Sequence, residues 1–215
     1  MNASILQFLL GVVFISLIYL NLTKKNVGVV WAYAIESLAI VAILLNSLFE
    51  TKNVLLLGVV LLTFFVKVII APIFFFNLIK KYKLNLSVSS YLNTPITLTV
   101  IAFLTAIAYS NKLLPLTSIV PENRFLLALA LAAALLSLFL VVNQKGALSQ
   151  AVGVLSLENS IVAFAVFAGL EQTPTLQFGI IFDIAAWLVI ASVFVSMIYR
   201  HFGSLDTSLM KTLKD

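Results

Sequence analysis

Residues 54–79 read VLLLGVVLLTFFVKVIIAPIFFFNLI, an apolar run that a single charge, Lys67, interrupts near its middle. An α-helix rises about 1.5 Å per residue, so about 20 apolar residues cross the roughly 30 Å hydrocarbon core of a membrane. The run lacks the alternation of apolar and polar residues that is typical of a membrane β-barrel strand. It therefore predicts a transmembrane helix and, with it, an all-α integral membrane protein.

The rest of the chain has the same character. Of its 215 residues, 62% are hydrophobic and 10% are charged, whereas soluble domains carry about 25% charged residues. Seven segments are predicted to be transmembrane helices: 3–22, 27–48, 54–79, 95–115, 124–143, 147–170 and 176–199. We expect a multi-pass protein of the cell membrane that is surrounded by lipids and has little of itself outside the bilayer.

The connections between these segments are more basic on one side of the membrane than on the other. One side holds nine basic residues: Lys24, Lys25, Lys80, Lys81, Lys83, Lys145, Arg200, Lys211 and Lys214. The opposite side holds three: Lys52, Lys112 and Arg124. Because cytoplasmic connections are enriched in lysine and arginine, the N-terminus is predicted to lie outside and the C-terminus in the cytoplasm. The net charge of +5 thus indicates topology, and nucleic acid is not an expected partner.

Several kinds of chemistry are not expected of this chain. It has no cysteine, and its single histidine, His201, lies beyond the last apolar segment. Disulfides, thiolate metal sites and a cysteine nucleophile are thereby excluded. The sequence also has no glycine-rich phosphate loop and no HExxH motif. We predict no metal site, no cofactor and no catalytic centre in this chain.

Four ionisable residues lie inside the apolar segments: Glu36, Lys67, Glu158 and Asp183. A charge at the centre of a membrane helix costs roughly 2.5–3.5 kcal/mol on an insertion scale, so such residues usually pair with each other or line a route for ions. The four residues predict a site of proton or ion translocation, and fixed ion pairs between helices are the structural alternative. Pro72 predicts a kink one turn beyond Lys67.

The first three and the last three segments share a pattern. In each triplet a helix is followed by a short basic connection, a helix with a buried glutamate and a helix with another buried charge. The glutamates are Glu36 and Glu158, and the closing helices carry Lys67 and Asp183. Two explanations fit this pattern: a parallel internal repeat, or the general likeness of short helical hairpins.

Residues 153–169, GVLSLENSIVAFAVFAG, resemble the glutamate-bearing helix of the K subunit of bacterial complex I. The whole chain resembles hydrogenase-4 component E more closely. That resemblance rests on the SLENS helix and on four further stretches: WAYAIESLAIVAI (31–43), FFVKVIIAP (64–72), FDIAAWLVI (182–190) and the tail GSLDTSLMKTLKD (203–215).

The resemblance implies a membrane-arm subunit of a group 4 nickel–iron hydrogenase complex, such as a formate hydrogenlyase-like assembly. It implies N-terminal helices over 1–123, a K-like three-helix unit over 124–200 and a cytoplasmic tail over 201–215. The two buried acids of the K subunit map onto Glu158 and, with a shorter side chain, onto Asp183. The implied partners are antiporter-like membrane subunits, the large and small hydrogenase subunits and iron–sulfur proteins.

Three functional hypotheses follow. The first is a non-catalytic subunit that moves protons or Na⁺ across the membrane while partner subunits carry out the redox chemistry. The second is a structural assembly subunit whose buried charges fix the packing of helices. The third is a stand-alone secondary transporter, which the small size of the chain and its short connections disfavour. Glu36 and Lys67 lie outside the K-like unit, so their assignment rests on buried charge alone.

Overall fold

The computed structural model describes residues 3–51, 54–82 and 90–170, together with 179, 182, 186, 189–190, 193 and 196–200. These residues are helical apart from the short connections, and no β-strand occurs among them. This confirms the all-α prediction for the described part of the chain. The helices are α1 (Ala3–Leu22), α2 (Asn26–Thr51), α3 (Val54–Thr63), a π-helix (Phe64–Ile70), α4 (Ala71–Tyr82), α5 (Thr94–Ala108), α6 (Leu114–Thr117), α7 (Arg124–Asn143) and α8 (Ala147–Phe167).

Within the described residues, five continuous helical stretches are long and apolar enough to cross a membrane. They are Ser4–Leu22, Asn26–Phe49, Leu56–Tyr82, Pro121–Asn143 and Ala147–Phe167. A bent pair, Thr94–Ala108 with Asn111–Thr117, makes a sixth if it is counted as one span. The predicted segment 176–199 lies mostly outside the described residues, although the described positions there are helical. A count of seven, and the orientation in the membrane, stay predictions.

The segment predicted at 95–115 is not one straight helix. α5 ends at Ala108, and Ser110 has an extended backbone (φ −74°, ψ 155°) before the chain becomes helical again. The two parts meet at an angle of 49°. Pro115 lies in the first turn of α6, where its missing N–H group is tolerated, so the sequence favours a new helix start over continuation of α5.

Two helical hairpins form the centre of the bundle. α1 and α2 are joined through residues 23–25, and α7 and α8 are joined through residues 144–146. α1 packs along α7, and α2 packs along α8, so the hairpins lie side by side with equivalent helices adjacent. The third span packs on α2, and α5 packs on α7. The described parts of 1–123 and 124–200 therefore form a single bundle.

Small residues allow α7 and α8 to approach closely, as is usual between membrane helices. Ala130 and Ala133 are fully buried in α7. In α8, a Cβ atom added to Gly153 would lie 2.8 Å from Val141 Cγ2 and 3.2 Å from the Val141 backbone nitrogen. Only glycine fits at this position without displacing α7.

The third span contains a π-helix that the sequence did not predict, and the kink predicted beyond Lys67 stays a prediction. The wide turns run over Phe64–Ile70, with Lys67 near their centre. The N–H group of Ala71 donates to the carbonyl of Val66, five residues earlier. Pro72 follows directly; it has no N–H group, and its ring crowds the carbonyl four residues before it. The distortion therefore lies on the N-terminal side of the proline, around the lysine.

Candidate functional site

Three of the four predicted charges come together in the interior of the bundle. Glu36 on α2 is 0% exposed, Lys67 on the π-helix is 1% exposed, and the Glu158 side chain on α8 is 16% exposed. The fourth residue, Asp183, lies outside the described residues. The central cluster is thus formed by three helices that are far apart in the sequence.

The ammonium group of Lys67 has two side-chain partners on α8. Its Nζ lies 3.1 Å from Glu158 Oε1 and forms an ion pair with it. The same Nζ donates a hydrogen bond to Asn159 Oδ1 at 2.9 Å. A buried charge is tolerated only when it is paired and hydrogen-bonded. Glu158 and Asn159 together satisfy this requirement for Lys67.

Glu36 is the second carboxylate of the cluster, and it faces α8 as well. Its Oε2 accepts a hydrogen bond from Ser156 Oγ at 2.7 Å. Asn159 also lies near this carboxylate, whose buried Oε1 makes no well-aligned hydrogen bond among the described residues. Lys67 is close enough to Glu36 for their charges to interact. A lysine paired with one carboxylate therefore has a second carboxylate within electrostatic reach.

Asn159 connects the two parts of the cluster. While its Oδ1 accepts from Lys67, its Nδ2 donates to Ser37 Oγ at 3.1 Å. Ser37 follows Glu36 directly on α2, and both Ser37 and Asn159 are 0% exposed. The amide of Asn159 thus joins the π-helix to α2 across α8.

A pair of serines extends the polar region toward α7. Ser137 Oγ and Ser160 Oγ lie 3.3 Å apart, and either hydroxyl can donate. Both residues are 0% exposed, and their hydroxyls also lie 2.9 Å and 3.0 Å from the carbonyl oxygens of Ala133 and Ser156. Hydroxyls that bond to a carbonyl four residues back are common in membrane helices. The pair links α7 to the face of α8 that carries Ser156.

The sequence indicated the three charges, and it also indicated that Ser156, Asn159 and Ser160 can hydrogen-bond across helices, which the structure confirms. The partners of these uncharged residues could not be predicted. A signal for the contact of Ser37 with Asn159 is nevertheless present, because each buried glutamate is followed by a hydrogen-bonding residue: Glu36 by Ser37, and Glu158 by Asn159. The two dipeptides occupy equivalent helices of the adjacent hairpins, and Asn159 contacts Ser37. A direct hydrogen bond thus joins the residues that follow the two glutamates, one in each hairpin.

Comparisons with known proteins found no match. No protein-family description, no curated protein and no solved structure matches this chain. The comparisons therefore add no functional information to the residues of the cluster and their arrangement.

The cluster contains the groups that proton or ion transfer requires. Two carboxylates and one amine can each exist in a charged or a neutral form, and the serine and asparagine side chains can carry hydrogen bonds between them. The arrangement is compatible with two roles within a membrane: the movement of protons or ions, and fixed ion pairs that hold helices together.

Proposed function

We propose that this chain is an ion-translocating membrane subunit of a complex I-related assembly of the group 4 nickel–iron hydrogenase type. The observation that carries the proposal is the buried contact of Lys67 with Glu158, with Glu36 in electrostatic reach. In this proposal, proton or Na⁺ movement involves Glu36, Lys67 and Glu158, and the redox chemistry belongs to partner subunits. Asp183 keeps its proposed part as the second acid of the K-like unit.

The energetics favour a functional reason for the cluster over a purely structural one. A buried ion pair is often no more stabilising than well-packed apolar residues, because each ion loses its hydration. Glu36 adds a second buried carboxylate, and only one of its oxygen atoms makes a well-aligned hydrogen bond among the described residues. Ionisable residues inside membrane proteins commonly mark ion routes. A charge that moves through the cluster explains why the cluster contains two carboxylates, Glu36 and Glu158.

The assembly itself is supported by the resemblance of the chain to hydrogenase-4 component E. In this proposal the chain lies in the cell membrane with its N-terminus outside and its C-terminus in the cytoplasm. Its partners are antiporter-like subunits, the large and small hydrogenase subunits and iron–sulfur proteins. A pull-down from native membranes in mild detergent, followed by mass spectrometry, should recover these proteins. Recovery of the chain alone would overturn the assembly and favour a stand-alone transporter.

The decisive experiment uses Glu158→Gln in the assembled complex, reconstituted in lipid vesicles. Glutamine keeps the shape of the side chain but cannot ionise. We expect the complex to assemble while ion uptake per electron transferred falls at least tenfold. Glu122→Gln is a matched control, because Glu122 is an exposed glutamate near the far end of the bundle. Unchanged ion uptake in Glu158→Gln would contradict the proposal.

A structural assembly role is the second candidate. It is supported by the two contacts of the Lys67 ammonium group, which pairs with Glu158 and donates a hydrogen bond to Asn159. If the pair only holds helices together, Glu158→Gln lowers the amount of assembled complex and leaves the ion uptake per electron in the surviving complexes unchanged. The ratio of ions moved to electrons transferred therefore separates the two roles.

A further inference from the structure

Tyr33 on α2 is a fully buried tyrosine at the edge of the central cluster. It lies three residues before Glu36 and four before Ser37, so the three side chains share one face of α2. Its side chain is 0% exposed. The helical rise places Tyr33 roughly 4–5 Å from Glu36 along the axis, toward the start of α2.

The phenol of Tyr33 is close to both carboxylates of the cluster. It interacts electrostatically with Glu36 and Glu158, and the hydroxyl group of Ser37 lies next to it. Glu36 belongs to the same helix as the phenol, whereas Glu158 approaches it from α8. The phenol therefore lies where the two helices bring their acidic groups together.

Stability does not explain the hydroxyl group of Tyr33. Its oxygen is buried and makes no well-aligned hydrogen bond among the described residues, although a buried tyrosine usually makes one. The ring packs edge-on against Phe75 of α4, with centroids 6.5 Å apart and planes at 88°. Phenylalanine would keep this packing and would avoid the cost of a buried polar group. The hydroxyl group therefore calls for a functional explanation.

Ser37 is held so that its hydroxyl group can serve the phenol. Ser37 Oγ accepts a hydrogen bond from Asn159 Nδ2 at 3.1 Å, so its own O–H hydrogen is left to be donated. The phenol oxygen beside it is a suitable acceptor. The same amide of Asn159 also accepts a hydrogen bond from Lys67. The surroundings of the phenol are thus connected to the charges of the central cluster.

A phenol suits the transfer of protons between two carboxyl groups. Its oxygen can accept a proton while its own O–H hydrogen leaves, so the residue is neutral before and after the step. One carboxyl group loses a proton and the other carboxylate gains one, which leaves the total charge unchanged. A metal ion such as Na⁺ cannot be passed on through a hydroxyl group in this way.

We propose that Tyr33 relays protons between Glu158 and Glu36, with Ser37 as the hydroxyl group that orients the phenol. The inference rests on the proposed ion translocation, and it specifies the proton as the ion. Lys67 pairs with Glu158 and interacts with Glu36. Its positive charge stabilises whichever carboxylate has lost its proton.

Tyr33→Phe in the assembled complex tests this proposal, because it removes the hydroxyl group and keeps the ring. The complex is reconstituted in Na⁺-free vesicles that contain a pH-sensitive dye, and proton uptake is expressed per assembled complex. A positioned proton-transfer group contributes about a hundredfold or more to a rate, so uptake in Tyr33→Phe should fall about tenfold or more. Tyr109→Phe is the matched control and should leave uptake unchanged, because Tyr109 is 45% exposed at the end of α5.

The free energy of unfolding, measured in mild detergent, separates a relay from a structural hydroxyl group. We expect it to be unchanged or higher in Tyr33→Phe, because no well-aligned hydrogen bond is lost. A lower value together with normal proton uptake per assembled complex would overturn the relay in favour of a structural role. Equal losses of uptake in Tyr33→Phe and Tyr109→Phe would overturn it too.

Glu158→Gln, measured in the same vesicles, distinguishes failure of the relay from failure of the proposed function. Normal proton uptake in Tyr33→Phe beside reduced uptake in Glu158→Gln would overturn the relay alone. Normal uptake in both variants would overturn the proposed ion translocation as well. A strict requirement of the unsubstituted complex for Na⁺ would overturn the relay and leave translocation by the carboxylates in place.

Discussion

At the scale of single residues, Lys67 is a buried charge that is held by contacts with another helix. Its side chain extends from the third span to α8, where it meets a carboxylate and an amide. Breaking a buried pair leaves the remaining charge desolvated and uncompensated, whereas removing both charges does not. The single substitution of Lys67 should therefore destabilise the protein more than the double substitution of Lys67 and Glu158.

The first prediction concerns this pair. Lys67→Met removes the cation and leaves Glu158 without its ion-pair partner, so the free energy of unfolding should fall by about 3–5 kcal/mol. The double variant Lys67→Met/Glu158→Leu should recover at least half of that loss. Equilibrium unfolding in mild detergent measures both values. A double variant that is no more stable than Lys67→Met would show that the pair is not coupled as the structure indicates.

The second prediction concerns the amide bridge. Asn159→Leu removes one hydrogen bond from Lys67 and one from Ser37, and a buried group left without its bond costs about 1–3 kcal/mol. We expect a loss of about 2–4 kcal/mol in unfolding free energy on this basis. Asn77→Leu is the control, since Asn77 is exposed on α4. Equal effects of the two substitutions would contradict a bridging role for Asn159.

At the scale of helices, sequence reasoning succeeded where a segment is uniformly apolar and failed where the backbone departs from a regular helix. The segments 3–22 and 124–143 coincide with α1 and α7. The π-helix could not be predicted, because Pro72 indicates only that the helix must adjust nearby and not that its turns widen around Lys67. The pairing of Lys67 with Glu158 could not be predicted either. It depends on which helices are neighbours in the bundle, and hydrophobic periodicity does not determine this.

The third prediction concerns the contact of α7 with α8. Gly153→Ala places a Cβ atom 2.8 Å from Val141 Cγ2 and 3.2 Å from a backbone nitrogen that cannot move freely. Overpacking of this kind costs about 1–3 kcal/mol, and unfolding in mild detergent should show the loss. Gly58→Ala is the control, because a Cβ atom there would have no neighbour within 4 Å. A neutral Gly153→Ala would contradict the close packing.

At the scale of the whole molecule, the side-by-side hairpins place the ends of alternate helices on the same side of the bundle. Six of the described basic residues lie at or next to helix ends on one side of the bundle, as the alternation of spans requires. They are Lys24, Lys25, Lys80, Lys81, Lys145 and Arg200. Lys112 and Arg124 lie toward the other side. This asymmetry should fix the orientation of the whole bundle, because positively charged connections are retained in the cytoplasm.

The fourth prediction tests this orientation with single cysteines, which the cysteine-free chain allows without background labelling. Tyr91→Cys and Asn111→Cys replace exposed residues that flank α5 on opposite sides, and neither changes the charge. A membrane-impermeant maleimide should label Asn111→Cys in intact cells and Tyr91→Cys only in inverted vesicles, because the basic side faces the cytoplasm. Labelling of both in permeabilised cells controls for accessibility. The reverse pattern would place the lysine-rich end outside the cell and contradict the predicted orientation.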